Sequence, residues 1–254
     1  MQREVPEPGA PPNPRPNLPG GLWSRHRRSR FVAAVVLMAT FASQSFRVHA
    51  QPDGVSRFVV VLDAAHGGDD SGARLENQAE KTYTLALSVK LRSLLAARGF
   101  TVVTTRESDV SVDADRRAAI ANHASAQACL ILHAAESGSG VHLYASTLAP
   151  TDPARLLPWK TAQSASVTRS LSFAGVLNSA LSHASIPVTL GRIGLAPLDS
   201  MACPAVAVEI APDRGSDASR PAQLDDPDYQ SRVTQALAAA LVEWRSQPRE
   251  GGQP

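Results

Sequence analysis

The sequence has little net charge, only two cysteines, no C-x-x-C pair and no internal repeat. Each shortage excludes something. Of 25 basic and 23 acidic residues, seven arginines and two glutamates lie in the first fifty positions. The rest therefore carries 18 basic and 21 acidic groups, a net of −3. That is no footprint for gripping nucleic acid, which needs a clustered basic face. Without a C-x-x-C spacing, a thiol-based metal or redox motif is excluded. Without a repeat, so is a solenoid. Cys129 and Cys203 each precede an apolar run, and their default reading is as buried free thiols. Pairing is the alternative in an oxidising compartment, if their Cβ atoms come within reach.

Long apolar runs are also scarce. The longest, Phe31 to Phe46, follows the basic stretch Arg25–Arg30 and precedes Val48-His49-Ala50, with small residues at −3 and −1 before a cleavage point after Ala50. This is the layout of a secretory signal. Its length is close to that of the shortest bilayer-spanning helix, so an uncleaved N-terminal anchor stays open. Positions 1–23, rich in Pro, Gly and Asn, read as disordered. The expected organisation is a leader over 1–50, one domain over 56–246 and a disordered tail over 247–254. The expected location is outside the cytoplasm, periplasmic or extracellular.

Within the domain, strand and helix signals alternate. Phe58–Leu62 is a β-branched apolar run closed by Asp63-Ala64-Ala65-His66-Gly67-Gly68. Glu80–Arg98 carries helical apolar spacing and stops at Gly99. Further strands are expected at 100–105, 128–132, 141–144, 188–193 and 205–210, and helices at 113–123, 164–185 and 227–245. Val141–Tyr144 follows the preceding strand too soon for a crossover helix. The alternation predicts an α/β three-layer sandwich, a mostly parallel central sheet with helices on both faces.

In such sheets chemistry gathers beyond the carboxyl ends of the strands. His66, His133 and Glu209 fall there, and Glu80 opens the first helix. Each has a plain structural explanation taken alone. A histidine after a strand is usually a polar cap, and Glu80 could complement the helix dipole. Glu209 within Ala205-Val206-Ala207-Val208-Glu209-Ile210-Ala211 is harder to set aside, since a carboxylate in so apolar a run needs a partner.

Taken together these segments resemble the zinc-dependent N-acetylmuramoyl-L-alanine amidases of the bacterial cell wall. Leu62-Asp63-Ala64-Ala65-His66-Gly67-Gly68 with Ser71-Gly72-Ala73 is similar to a first metal motif, Glu80-Lys81 to a second, and Ile131-Leu132-His133-Ala134 to a third. Thr105–Asp109, Arg117 and Ala121-Asn122 match a middle block, and Pro204–Glu209 the segment bearing a catalytic glutamate. The resemblance spans Phe58 to Trp244. It implies that Zn²⁺ is held by His66, Glu80 and His133, and that Glu209 acts as the base. It also implies hydrolysis of the amide between N-acetylmuramic acid and L-alanine in peptidoglycan. Peptidoglycan (muramyl peptide) is then the partner, nucleic acid is not, and a regulatory protein activator is left open. Glu76 is the alternative to Glu80. Arg106, Asp109, Arg117 and Asn122 read as a brace between the third strand and second helix. His123 and His183 read as surface groups, and His142 as no ligand.

The chain departs from the family pattern in three places. Ala64-Ala65 replaces Pro-Gly before His66, where a turn needing positive φ would strain an alanine. Ala135-Glu136 stands where Asn is common. Ile210-Ala211-Pro212-Asp213-Arg214 replaces Gly-Phe and a later Asn. Altered substrate contacts are the expectation. Two other functions keep the scaffold: a silent wall-binding or regulatory protein, and a zinc peptidase cutting another amide.

Overall fold

A row of β-branched residues at the centre of the molecule organises everything around it. The structure, a computed structural model, describes residues 57–215 and 222–248. The leader, the signal or anchor and most of the tail lie outside those residues. No helix among the described residues is long and apolar enough to cross a membrane.

Strand β1 (Val59–Ala64) is buried along most of its length, and the other strands assemble on it. A short hairpin, β2 (Arg74–Leu75) and β3 (Gln78–Ala79), leads into helix α1 (Glu80–Ala96). Then follow β4 (Thr101–Thr104), α2 (Ala114–His123), β5 (Ala128–Ala134) and β6 (Val141–Ser146). A 3-10 segment (Trp159–Ala165) precedes α3 (Val167–His183), β7 (Val188–Ile193), a short α4 (Ala196–Ser200), β8 (Ala205–Ile210) and α5 (Pro227–Ser246).

The six-stranded sheet has the order β4-β1-β5-β8-β6-β7. β4, β1, β5 and β8 run parallel, while β6 is antiparallel to β8 and parallel to β7. The expected α/β sandwich with a mostly parallel sheet is therefore the fold, with one reversed pair. The reversal follows from the short β5–β6 connection: without a crossover helix β6 cannot lie parallel to β5. β8 fills the place between them.

Period-2 alternation sorts the side chains into two cores. On one face Val60, Leu62, Leu130, Leu132, Val206 and Val208 meet α1, α3 and α5 through Leu87, Leu91, Phe173, Leu177, Val233 and Leu237. On the other, Val61, Cys129, Ile131, Ala205 and Ala207 meet Ala118 and Ala121 of α2, and Leu198 of α4. Alanines of α2 and the short α4 cover this second face. His133, Glu209 and His142 share its parity along β5, β8 and β6. Two helices, α2 and α5, start on side-chain caps. Asp113 accepts from Arg116 N at 2.7 Å, and Asp226 caps α5 ahead of Pro227.

The cysteines correct the free-thiol expectation. Cys129 and Cys203 form a disulfide with Cα atoms 6.2 Å apart, and no described cysteine is free. The reason is register: Cys129 pairs with Ala205 across β5 and β8, which brings Cys203 alongside. Sequence cannot display that neighbourhood. The crosslink closes a separation of 74 residues. Replacing both cysteines by alanine should cost about 2–4 kcal/mol in urea unfolding. A loss below about 1 kcal/mol would show that the crosslink constrains the unfolded chain little.

Candidate metal centre

The loop after β1 is built by hydrogen bonds to its carbonyls. Arg106 donates to Ala64 O at 2.9 Å, to Ala65 O at 3.0 Å and to Lys81 O at 2.7 Å. Arg117 donates to Ala64 O and His66 O, each at 2.7 Å, and pairs with buried Asp63 at 2.6 Å. Thr84 Oγ1 donates to Ala65 O at 2.9 Å. Lys81 Nζ bridges Gly68 O and Asp109 Oδ2, both at 2.7 Å, and Asp109 Oδ1 accepts from Gly68 N. The middle-block residues thus brace the His66 loop rather than joining only a strand to a helix. Asn122 does something else. It ties the end of α4 through Ser200 O and Ala202 N.

Strain in this loop sits on a different residue from the one expected. Ala65 does not take a positive φ; His66 does, at 62°, followed by Gly67 at 129° and Gly68 at 60°. The Ala64-Ala65 departure is therefore sterically harmless. The cost of order 1 kcal/mol for a left-handed non-glycine falls on His66.

Three side chains from three elements converge beyond the strand ends. Potential ligand atoms of His66, Glu80 and His133 all lie within 4.8 Å of one another. Glu80 Oε2 is 3.0 Å from His66 Nε2, and Glu80 Oε1 is 2.8 Å from His133 Nδ1. The two imidazoles stand edge to face, centroids 5.3 Å apart. Glu80 is 4% exposed and also accepts from Ala73 N and Ala134 N. Burial alone would push its carboxyl up. The hydrogen bonds from His133, His66 and those two amides outweigh this and hold it well below the ordinary carboxylate range. His66 is raised from its ordinary value, chiefly by its hydrogen bond to Glu80 and against the opposing effect of burial. Gly72 is needed here: at φ +65°, a Cβ on it would stand 2.6 Å from the His66 ring and 2.7 Å from Glu80 Oε2.

The donor set fits a cation. Asp70 Oδ2 lies 2.8 Å from His66 Nδ1, so that nitrogen carries the proton. Nε2 then also faces a carboxylate, a contact that a second ring proton or a bound cation can satisfy. An imidazole whose other N–H is held by a carboxylate is the usual arrangement of a metal-ligating histidine. Two imidazoles and one carboxylate suit zinc. Glu76, the alternative ligand, is exposed on the β2–β3 turn and stands outside the cluster.

Glu209 occupies the neighbouring position across the sheet. It is the register partner of His133 on one side and of His142 on the other. His142 Nδ1 lies 2.9 Å from Glu209 Oε1. Sequence reading missed two contacts, Asp70 with His66 and His142 with Glu209. The first is an i,i+4 pair inside an irregular loop, with no period to reveal it. The second needed the order of the strands. His123 and His183 are exposed, as expected of surface groups.

The profile of Amidase_3, described as N-acetylmuramoyl-L-alanine amidase, matches residues 60–243. The chain belongs to this family. A probable cell wall amidase, LytH, of Staphylococcus saprophyticus is 46% identical over 61 residues, 23% of this chain and 21% of that protein. The sporulation-specific N-acetylmuramoyl-L-alanine amidase of Bacillus subtilis is 34% identical over 98 residues, 36% of this chain and 38% of that protein. The catalytic domain of CwlV, an N-acetylmuramoyl-L-alanine amidase from Bacillus (Paenibacillus) polymyxa var. colistinus, superposes with a TM-score of 0.57 at 28% identity. That match covers 74% of this chain and 98% of that domain. Matched stretches span 21–38% of the curated relatives' lengths.

In this Amidase_3 chain two of the three departures from the family pattern meet in space. Glu136, Pro212 and Arg214 line a cleft of about 570 Å³ together with Leu75, Glu76, Gln78 and Asp225. His66, Glu80 and His133 themselves do not line it. Segments leading directly from Glu80, His133 and Glu209 do.

Proposed function

We propose that the protein is a zinc-dependent peptidoglycan amidase, exported from the cytoplasm, that hydrolyses the amide between N-acetylmuramic acid and L-alanine. The observation that carries this reading is the convergence of two imidazoles from distant elements on the buried Glu80 carboxylate, with the far nitrogen of His66 held by Asp70. His66, Glu80 and His133 are the ligands in this reading, and Glu209 is the general base. Zinc in such a site acts as a Lewis acid, polarising a carbonyl and making water acidic near neutral pH.

The chain's own groups divide the remaining work. Asp70 and the Ala73 and Ala134 amides fix the ligands. Glu209 accepts the proton of the attacking water as its oxygen bonds to the carbonyl carbon. It then returns that proton to the alanine nitrogen as the C–N bond breaks. The cleft beside the site receives the muramyl peptide, and its substituted rim sets which stem is preferred. An exported domain also accommodates the Cys129–Cys203 disulfide, which the cytoplasm would not favour.

The test is to measure metal content and release of stem peptide from purified sacculi by the mature protein. One zinc per chain is expected, with products carrying a free L-alanine amine by mass spectrometry and activity lost to a chelator and restored by zinc. Stoichiometric zinc without cleavage, where a control amidase works, would instead make the protein a wall-binding relative. Cleavage at another amide would make it a peptidase.

A further inference from the structure

His142 is the strongest feature that the proposed mechanism leaves unused. It sits near the start of β6, and Glu209 near the end of β8. The antiparallel pairing of these strands sets the two residues directly opposite each other. On that register side chains of one face meet at short range. His142 Nδ1 lies 2.9 Å from Glu209 Oε1, and among the described residues no other group hydrogen-bonds the Glu209 side chain. Glu209 is one-third exposed, at 32%, so packing alone does not settle its three side-chain torsions. His142, at 15%, is the more buried partner and the better fixed.

The fold is shaped around this imidazole. Gly138, in the β5–β6 turn, has φ +93°, and a Cβ there would stand 2.4 Å from His142 Cε1 and 2.8 Å from its Nε2. Tyr144, two residues on and on the same face, meets the ring edge to face at 6.4 Å. His142 is not in the metal-site trio; its ring is committed to Glu209.

We infer that His142 is the positioning residue of the base: its Nδ1–H holds Glu209 Oε1 and turns Oε2 towards the water to be deprotonated. This rests on the amidase reading, in which Glu209 is the base. The pairing fixes one carboxylate oxygen as acceptor of the imidazole N–H and leaves the other for proton transfer. The ring itself neither gains nor loses a proton in the reaction.

The experiment compares wild type, His142→Leu, His142→Asn and Glu209→Gln as zinc-loaded mature proteins on a soluble N-acetylmuramoyl peptide. It records kcat, KM, zinc content and Tm. His142→Leu, which keeps bulk and removes the donor, should lower kcat about 10- to 100-fold with KM and zinc content unchanged. His142→Asn, whose amide N–H reaches the place of Nδ1–H, should recover most of that loss. Should leucine lower Tm or release zinc, His142→Ala replaces it as the donor-free variant. Wild-type kcat in the donor-free variant, beside an inactive Glu209→Gln, would overturn the inference alone. So would an asparagine variant as slow as the donor-free one. An active Glu209→Gln would instead overturn the assignment of the base, and this inference with it.

Discussion

Glu209→Gln should lower kcat by about 10²- to 10⁴-fold while leaving one zinc bound. Glutamine keeps the length and shape of the side chain and can still pair with His142, but its amide cannot take a proton from water. The zinc expectation follows from position. Glu209 is absent from the group whose donor atoms lie within 4.8 Å of one another, and its carboxylate is engaged by His142 instead. Yet its register partner is His133, so it borders the cluster and, being partly exposed, meets whatever enters from solvent. Steady-state rates on a muramyl peptide, with metal content measured on the same sample, decide the matter. Wild-type turnover would remove Glu209 from the chemistry, and loss of zinc would make it a ligand.

How far the sequence led can be read from single residues. β7 and β8 lie at the positions that composition predicts, because runs such as Ala205–Ile210 have no helical spacing and are bounded by turn residues. β5 runs to Ala134, two residues past its apolar run, because the ladder with β8 extends through His133 and Ala134. The hairpin at 74–79 and helix α4 are too short to leave a periodic trace. The convergence of His66, Glu80 and His133 was legible only through resemblance to a family, since no local pattern reports that residues 53 apart share a hydrogen bond. What sequence could not supply was strand order. Inserting β8 between β5 and β6 simultaneously creates the disulfide, sets Glu209 beside His133 and gives it His142. A reader expecting sequence neighbours to pair would place β6 against β5 and lose all three contacts.

Arg117→Met should destabilise the protein by about 3–5 kcal/mol and weaken zinc binding in the same variant. The Arg117–Asp63 pair is buried, with side chains 7% and 1% exposed, and Asp63 Oδ2 has no hydrogen-bond partner. Removing the guanidinium leaves the buried Asp63 carboxylate hydrogen-bonded only by Thr105 Oγ1 at 2.5 Å, with the Arg106 guanidinium acting on it only through space. Methionine fills similar space without supplying a donor. The effect on metal has a separate route. Arg117 also donates to the carbonyl of His66, the residue held at φ 62°, and an imidazole released from that conformation no longer faces Glu80. Arg117→Lys should fall between, because an ammonium keeps the charge but cannot hold Asp63, Ala64 O and His66 O with one planar fork. Urea unfolding and zinc competition with a chromophoric chelator measure the two losses. If Arg117→Met lost less than about 1 kcal/mol, Asp63 would have to be neutral or hydrated in the folded state. If it kept zinc as tightly as wild type, the braces that do not reach the His66 carbonyl, Arg106 and Thr84 on Ala64 O and Ala65 O and Lys81 and Asp109 on Gly68, would suffice to hold the loop.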